Sequence, residues 1–442
     1  MAAAAAFPRL GALARRLATV SNGPLAAPAG TVQAVGANQV RVAGLSGKAR
    51  LGDMIEIGGA EPVLCEAGRI ESGHVQCQPF HRAGALRNGA PALLLGPLTV
   101  APSFAWKGRI VDGFGTPLDG GGPVVPGDTS LSPYRPAPDA LSRASAGGFA
   151  LTGVNAVDLF TPLCHGQRIG VFGAAGSGKS SLLGSLMLAP GFDSIVVGLI
   201  GERGREVRDF FEGHSSARRG DTIVVASTCD ESAAARVLAA NTAMLAAEYL
   251  RDRGENVLLV IDSVTRFAHA VRENSLASGD LPVVRGHTAS LYGALSALME
   301  RAGPGQKGKG SVTAIFSVLV DGDDPNEPVS DAVRGILDGH IMLDRAIARS
   351  GRYPAINVLE SISRLAGRAH SPEQAAIVAR ARRMLALFEE VEEMRQLGGY
   401  TPGVDAASDQ SRVVGPQICQ LITQSGGLDG DPFQRLREIV GD

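Results

Sequence analysis

The sequence predicts an α/β chain: a domain built on a parallel sheet, preceded by a small β-barrel and followed by a helical domain. Three observations carry this expectation. Between residues 30 and 95, short apolar runs are broken by Gly, Asn and Asp, as in TVQAVGANQVRVAG, DMIEIGG and GHVQCQPF. Such short strands with turn signals suggest a barrel. From Gln167 onward, continuous Val/Ile/Leu runs alternate with helical text, the pattern of a parallel sheet covered on both faces. After Arg364 the strand-like runs stop.

Composition narrows the class. The chain has 442 residues, 45% hydrophobic and 19% charged, enough apolar material for a full-sized core and too little charge for wholesale disorder. Its 57 glycines exceed the average usage of about 7% without a collagen-like period, so they mark turns and close backbone approaches. A formal net charge of −2 and 5% aromatics supply neither a basic field nor a stacking surface, and no nucleic acid partner is expected. No apolar run approaches the 18 or so residues of a membrane span. Cys65, Cys77, Cys164, Cys229 and Cys419 lie far apart with no CxxC pair, which favours reduced thiols in a cytoplasmic protein.

Taken in order, residues 1–29 form a basic segment; the earliest acid in the chain is Asp53. Leu10, Ala14 and Leu17 share one helical face in it, as a partner-docking helix would require. A frayed alanine-rich terminus and an Arg-rich transit peptide are the competing readings. Residues 30–95 are the barrel. Gly113 to Gly148, with PLDGGGP and SPYRPAPD, reads as a connector lying over a larger domain that spans 96–370. Within it QRIGVF, SIVVGLI, TIVVAS, NVLLVID and SVTAIFSVLV read as strands, and Glu231 to Arg251 as a long helix. Ser371 followed by Pro372 signals a helix start for the final domain, 371–442.

The run Gly173, Ala174, Ala175, Gly176, Ser177, Gly178, Lys179, Ser180 matches GxxxxGK[ST], directly after one strand and directly before a helix. Glycines let backbone N–H groups close around phosphate oxygens, and the helix N-terminus adds its positive dipole end. In that pattern Lys179 reaches the β- and γ-phosphates and the Ser180 hydroxyl ligates Mg²⁺. Asp262 ends the buried strand VLLVID, where a carboxylate points into the crevice of an α/β sheet and can hold a metal's water shell. GERGRE (201–206) follows the strand ending at Ile200. At that edge Glu202 is placed to polarise water, Arg203 to contact the γ-phosphate, and Glu206 to approach the metal.

GLIGERGREVRDF, LLVIDSVTRFAHA and DGDDPNEPVSDAVRGILDGHIMLDR resemble the ATPases of flagellar and type III protein export. In this branch of the rotary ATPase superfamily a single catalytic chain forms a homohexamer. The resemblance runs from about residue 30 to 410. It implies a RecA-like P-loop domain between the barrel and the helical domain, with ATP and Mg²⁺ as ligands. It also implies Glu202 as catalytic glutamate, Tyr353 of RYPAINVLESISRLA stacking on adenine, and Arg364 as an arginine finger entering the neighbouring subunit's site. The implied partners are a regulatory stator-like protein at the N-terminus, a central-stalk protein touching Glu273 to Gly286 in the ring channel, and export chaperones with their substrates. The implied location is the cytoplasm, peripheral to the inner membrane export apparatus. The flagellum-specific member is the first expectation and an injectisome ATPase the alternative. A catalytic ATP synthase chain is disfavoured because its string reads GERTRE rather than GERGRE. A nucleotide-holding structural subunit is disfavoured because Glu202 is present. The P-loop departs from the family's AGSGVGKS, and residues 1–29 and the last thirty match poorly.

Overall fold

Short antiparallel strands build the first unit. In the computed structural model, which describes residues 27–58, 61–81, 84, 86–174, 176–213, 218–320, 327–423 and 430–441, six strands close into a barrel. They are β1 (Ala29–Val35), β2 (Val40–Ala43), β3 (Asp53–Ile57), β4 (Val63–Glu71), β5 (His74–Pro79) and β6 (Pro91–Pro97). They run in the order β1-β2-β5-β4-β3-β6, every pair antiparallel. Val75 and Cys77 point inward from β5 to meet Val40, Val42, Ile55 and Ile57. This unit ends at Leu98. The N-terminal docking-helix expectation falls on residues 1–26, outside the described residues.

The second unit begins at Thr99. It adds β7 (Ile110–Val111), a ribbon of β8 (Phe149–Ala150) and β9 (Leu163–Cys164), then β10 (Arg168–Gly173), β11 (Ser194–Glu202), β12 (Thr222–Thr228) and β13 (Asn256–Asp262). A hairpin of β14 (Pro282–Val284) and β15 (His287–Thr288) follows, then β16 (Gly303–Pro304), β17 (Ser311–Leu319), β18 (Gly339–Leu343) and β19 (Ile356–Ser363). The main sheet is ordered β19-β18-β10-β17-β13-β11-β12-β7, with β16 paired to β17. Its central strands are all parallel.

Continuous apolar strands are required here because both faces are covered. Along β13, Val257, Leu259 and Ile261 pack with the helices Ala233–Arg251, Val264–Ala277 and Ala289–Met299. Leu258 and Val260, pointing the other way, pack with Leu182, Leu186 and the C-terminal helices. The last of these helices begin at Ser371, which caps Pro372–Gln396 through a reciprocal bond with Gln374. Among the described residues no helix is long and apolar enough to cross a membrane.

Two strands depart from an all-parallel sheet. β19 returns antiparallel to β18 and β16 pairs antiparallel to β17, while β7 extends the opposite edge in parallel with β12. The reversal has a consequence: β19 starts at the sheet's C-terminal edge and ends at its N-terminal edge.

Candidate functional site

Strand order reverses at β10. The helix after it leads away to β11 on one side, while β18 pairs on the other, and ligands bind at the carboxyl edge of such a switch point. The GxxxxGK[ST] run occupies that place. A Cβ on Gly173 would lie 2.5 Å from Ser177 Oγ and 2.9 Å from Leu343 Cβ, so the turn closes only on a bare glycine. Gly176 and Gly178 adopt φ of 79° and 88°, the left-handed region that side chains disfavour. Ser177 ties the loop by donating to Ala174 O at 2.9 Å. Lys179, buried, folds its Nζ over the loop onto the carbonyls of Gly173 and Ala174. It also opens the helix Lys179–Leu186. Ala175 lies outside the described residues.

Facing this loop is a cleft of about 180 Å³ lined by Ser180, Leu183, Leu199, Glu202, Glu206, Asp209, Phe210 and Asp262. Asp262 enters from the end of β13 and Glu202 from the end of β11, neighbouring strands in register. Burial pushes the Asp262 carboxyl up, opposed by the nearby Ser317 hydroxyl and by the Lys179 and Arg266 charges. Glu202 is pushed up by burial, by its hydrogen bond with Glu206 and by the Asp262 charge. Glu206 is held down by the same hydrogen bond.

All the polar cleft groups offer oxygen, which suits a hard cation such as Mg²⁺. Among the described residues no three carboxylate, His or Cys side chains converge as a metal cage.

Arg266 belongs to the site although the sequence reading did not single it out. Its NH1 donates to Gly201 O at 2.7 Å and its Nε lies 3.0 Å from Glu202 Oε1. The available signal was its position four residues after Asp262, which brings a first-turn helix side chain back over the strand edge. Arg203 stands at the rim, 77% exposed, with NH1 3.4 Å from Glu206 Oε1.

Tyr353 and Arg364 sit at opposite ends of β19. Tyr353 precedes the strand on the P-loop edge, its ring atoms 3.4 and 3.6 Å from where a Gly178 Cβ would be. Its neighbour Arg352 donates to Cys419 Sγ at 3.0 Å, tying this wall to the helix Ala406–Ile422. Arg364 follows β19 at the other edge and is exposed. The five residue steps of β10, at about 3.3 Å each, separate the two edges by roughly 17 Å. The chain therefore gathers Lys179, Ser180, Glu202, Glu206, Asp262 and Tyr353 at one edge and leaves Arg364 at the other.

Residues 153–363 match the model of the ATP synthase alpha/beta family, nucleotide-binding domain. Residues 370–431 match the T3SS EscN ATPase C-terminal domain. The chain is 44% identical over 402 residues to the flagellum-specific ATP synthase of Rhizobium meliloti, covering 91% of this chain and 86% of that one. It is 41% identical over 365 residues to the SPI-2 type 3 secretion system ATPase of Salmonella typhimurium, covering 82% and 83%. Among solved structures it resembles the assembled ATPase EscN of the enteropathogenic E. coli type III secretion system, with a TM-score of 0.87 and 34% identity over 93% of this chain and all of that one. EscN in complex with its central stalk EscO superposes with a TM-score of 0.85.

Proposed function

The chain belongs to the flagellar and type III secretion ATPases of the ATP synthase alpha/beta family, and on that premise we propose that it hydrolyses Mg²⁺-bound ATP as a homohexameric ring to energise flagellar protein export. The observation that carries this reading is the division of labour across one sheet: carboxylates and P-loop at one edge, an exposed arginine at the other. A head-to-tail ring brings such edges together.

Binding begins with Lys179 exchanging its own loop carbonyls for the β- and γ-phosphate oxygens. Tyr353 stacks on the adenine, with Gly178 beneath its ring. Ser180, Asp262 and Glu206 would hold Mg²⁺, which would supply charge neutralisation at the phosphates. Glu202 accepts a proton from the attacking water as the water oxygen bonds to the γ-phosphorus and the bond to the β-phosphate oxygen breaks. Arg266 holds the Glu202 carboxylate in place. Arg203 and the neighbour's Arg364 offset the charge spreading over the γ-phosphate oxygens.

The hairpin β14–β15 exposes Leu281, Val283 and Val284, an apolar tip suited to a central-stalk protein in the ring channel. A stator-like protein on residues 1–29, and export chaperones with their substrates, complete the proposed partners. The ring works in the cytoplasm, at the inner membrane export apparatus.

Mg²⁺-ATPase activity measured against protein concentration tests this for wild type, Glu202→Gln and Arg364→Ala. Activity rising steeply with concentration and lost in both variants is expected. Activity linear in concentration and indifferent to Arg364 would overturn the shared site. Loss of motility on deleting the chain identifies the flagellar system; loss of effector secretion with motility intact assigns an injectisome instead.

A further inference from the structure

The backbone around Arg364 is clamped from two sides by side chains that carry no role in the chemistry. Gln167, fully buried, donates from Nε2 to Ser363 Oγ at 3.0 Å and accepts at Oε1 from Cys164 N at 2.9 Å. Ser363 passes that bond on to Pro162 O at 2.8 Å. On the other side, Arg364 N donates to Asp338 O at 2.9 Å. The Asp338 carboxylate is gripped by Arg168, with Nε at 3.2 Å, NH2 at 3.3 Å and the backbone N at 3.0 Å. Arg168 NH1 reaches Glu300 Oε1 at 2.6 Å. Register leaves no slack: a Cβ on Gly339 would lie 2.3 Å from Ile362 O.

Against this base, the Arg364 guanidinium makes no ion pair among the described residues and points from an exposed position. Burial holds the nearby His340 imidazole below its ordinary range, and the Arg334 and Arg364 charges add to that, so His340 does not compete as a cation. A group that acts in a neighbour's site gains most when its own backbone is fixed beforehand, because ordering is then not charged to the transition state.

We propose that Gln167, Ser363, Arg168 and Asp338 are positioning residues for Arg364, holding its backbone at the sheet edge so that the guanidinium enters the adjacent subunit's nucleotide site. The proposal rests on Arg364 acting in trans. Arg168 opens, and Gln167 immediately precedes, the very strand that ends in the P-loop, so β10 serves two sites at once. Its C-terminal end builds the chain's own phosphate cradle, and its N-terminal end aims the group delivered to the neighbour.

Mixed rings test this. Ser363→Ala removes the Gln167 link with little risk to folding, and Asp338→Asn weakens the other clamp. Each alone is expected to lower kcat about tenfold or more while KM for ATP stays within about twofold, as for groups that act only in the transition state. Each variant is then mixed with an equal amount of Lys179→Ala, whose own site is dead but whose Arg364 is correctly held. With random assembly, about one interface in four pairs a working P-loop with a held arginine, so the mixture should recover about a quarter of wild-type activity. Arg364→Ala mixed with Lys179→Ala is the reference. If that reference recovers and the Ser363→Ala and Asp338→Asn mixtures do not, the clamp affects its own subunit's site and the proposal fails. If the variants keep wild-type kcat, it fails as well. If the Arg364→Ala reference itself shows no recovery, the shared-site reading falls, and the proposal falls with it.

Discussion

Deep in the larger unit, Arg301 and Glu248 are 2% and 1% exposed, and removing the acid is expected to be among the most damaging single changes outside the site. The guanidinium donates from Nε to Glu248 Oε1 at 3.1 Å and from NH2 to Oε2 at 2.8 Å. Its NH1 reaches Asn241 Oδ1 at 3.0 Å and Pro133 O at 2.6 Å. Asn241 and Glu248 are two turns apart on one helix face, while Pro133 belongs to the connector, so this one side chain pins the connector to the sheet's covering helix. Glu248→Gln keeps the shape and removes the charge, leaving a buried guanidinium uncompensated; breaking such a pair costs about 3–5 kcal/mol. With an unfolding entropy of about 2.1 cal/mol/K per residue, a unit running from Thr99 to Asp442 loses roughly 1.4 °C per kcal/mol, so the midpoint of thermal unfolding should drop on the order of 4–7 °C. The exposed pair Arg205–Asp209, with side chains 89% and 62% exposed, is the control; exposed pairs contribute little, and Arg205→Ala should shift the midpoint hardly at all. Arg301→Met with Glu248→Leu should regain part of the loss, not all, because Pro133 O and Asn241 then lack a donor. Scanning calorimetry reads the midpoints, and hydrogen exchange in Ala233–Arg251 localises the effect. A Glu248→Gln midpoint within about 2 °C of wild type would refute the reasoning, since only water entry or a second counter-charge could then be neutralising Arg301.

Three further outcomes are expected. Asp158 is fully buried and its carboxyl is pushed up to about 6 by burial, against hydrogen bonds from Thr152 and Gly153. Between about pH 4 and 6 the folded chain keeps a proton the unfolded chain releases, so this group's contribution falls as pH rises through that window, by up to about 3 kcal/mol. Denaturation midpoints across that range should slope less in Asp158→Asn than in wild type; equal slopes would dismiss the assignment. Tyr353→Ala should raise KM for ATP roughly tenfold with kcat little changed, the size of a lost aromatic stack, and Tyr353→Phe should behave as wild type; steady-state kinetics decide. Arg266→Ala removes the cation beside Glu202 and should lower kcat by about a hundredfold or more, whereas an effect confined to KM would make Arg266 a binding residue only.

The sequence was most legible where one local rule had no competitor. A P-loop needs glycines, a lysine and a following helix in fixed order, and the helix does begin at Lys179. Strands buried on both faces read as unbroken Val/Ile/Leu, so β11, β13 and β17 were visible with nearly their observed bounds. The strand β19 was not, because INVLESIS mixes buried Ile356, Val358 and Ser361 with exposed Glu360 and Ile362, the pattern of an edge strand. Its direction depends on the turn through residues 345–355, which no periodicity encodes. Arg266 escaped for a related reason: in sequence it is one charged residue in a helix's first turn. Only the sheet order, which sets Gly201 and Glu202 beside Asp262, gives it a task.

The reversal at β19 decides how subunits must meet. A parallel β19 would have delivered Arg364 to the edge that carries its own P-loop, and each chain could have completed its own site. Because β19 runs antiparallel to β18, Arg364 lies about 17 Å from that edge, across the length of the strands, beyond the reach of an arginine side chain. If Arg364 contributes to hydrolysis at all, the site it serves belongs to another copy. A heterologous contact sets one sheet edge against the opposite edge of the next chain, and such contacts close into rings or run on as filaments. A dimer related by a two-fold axis could complete both sites only with the two copies side by side in opposite directions, each Arg364 edge against the other's P-loop edge. Turnover at concentrations where only two-fold dimers exist would therefore count against the ring, and turnover that appears only with rings would count for it.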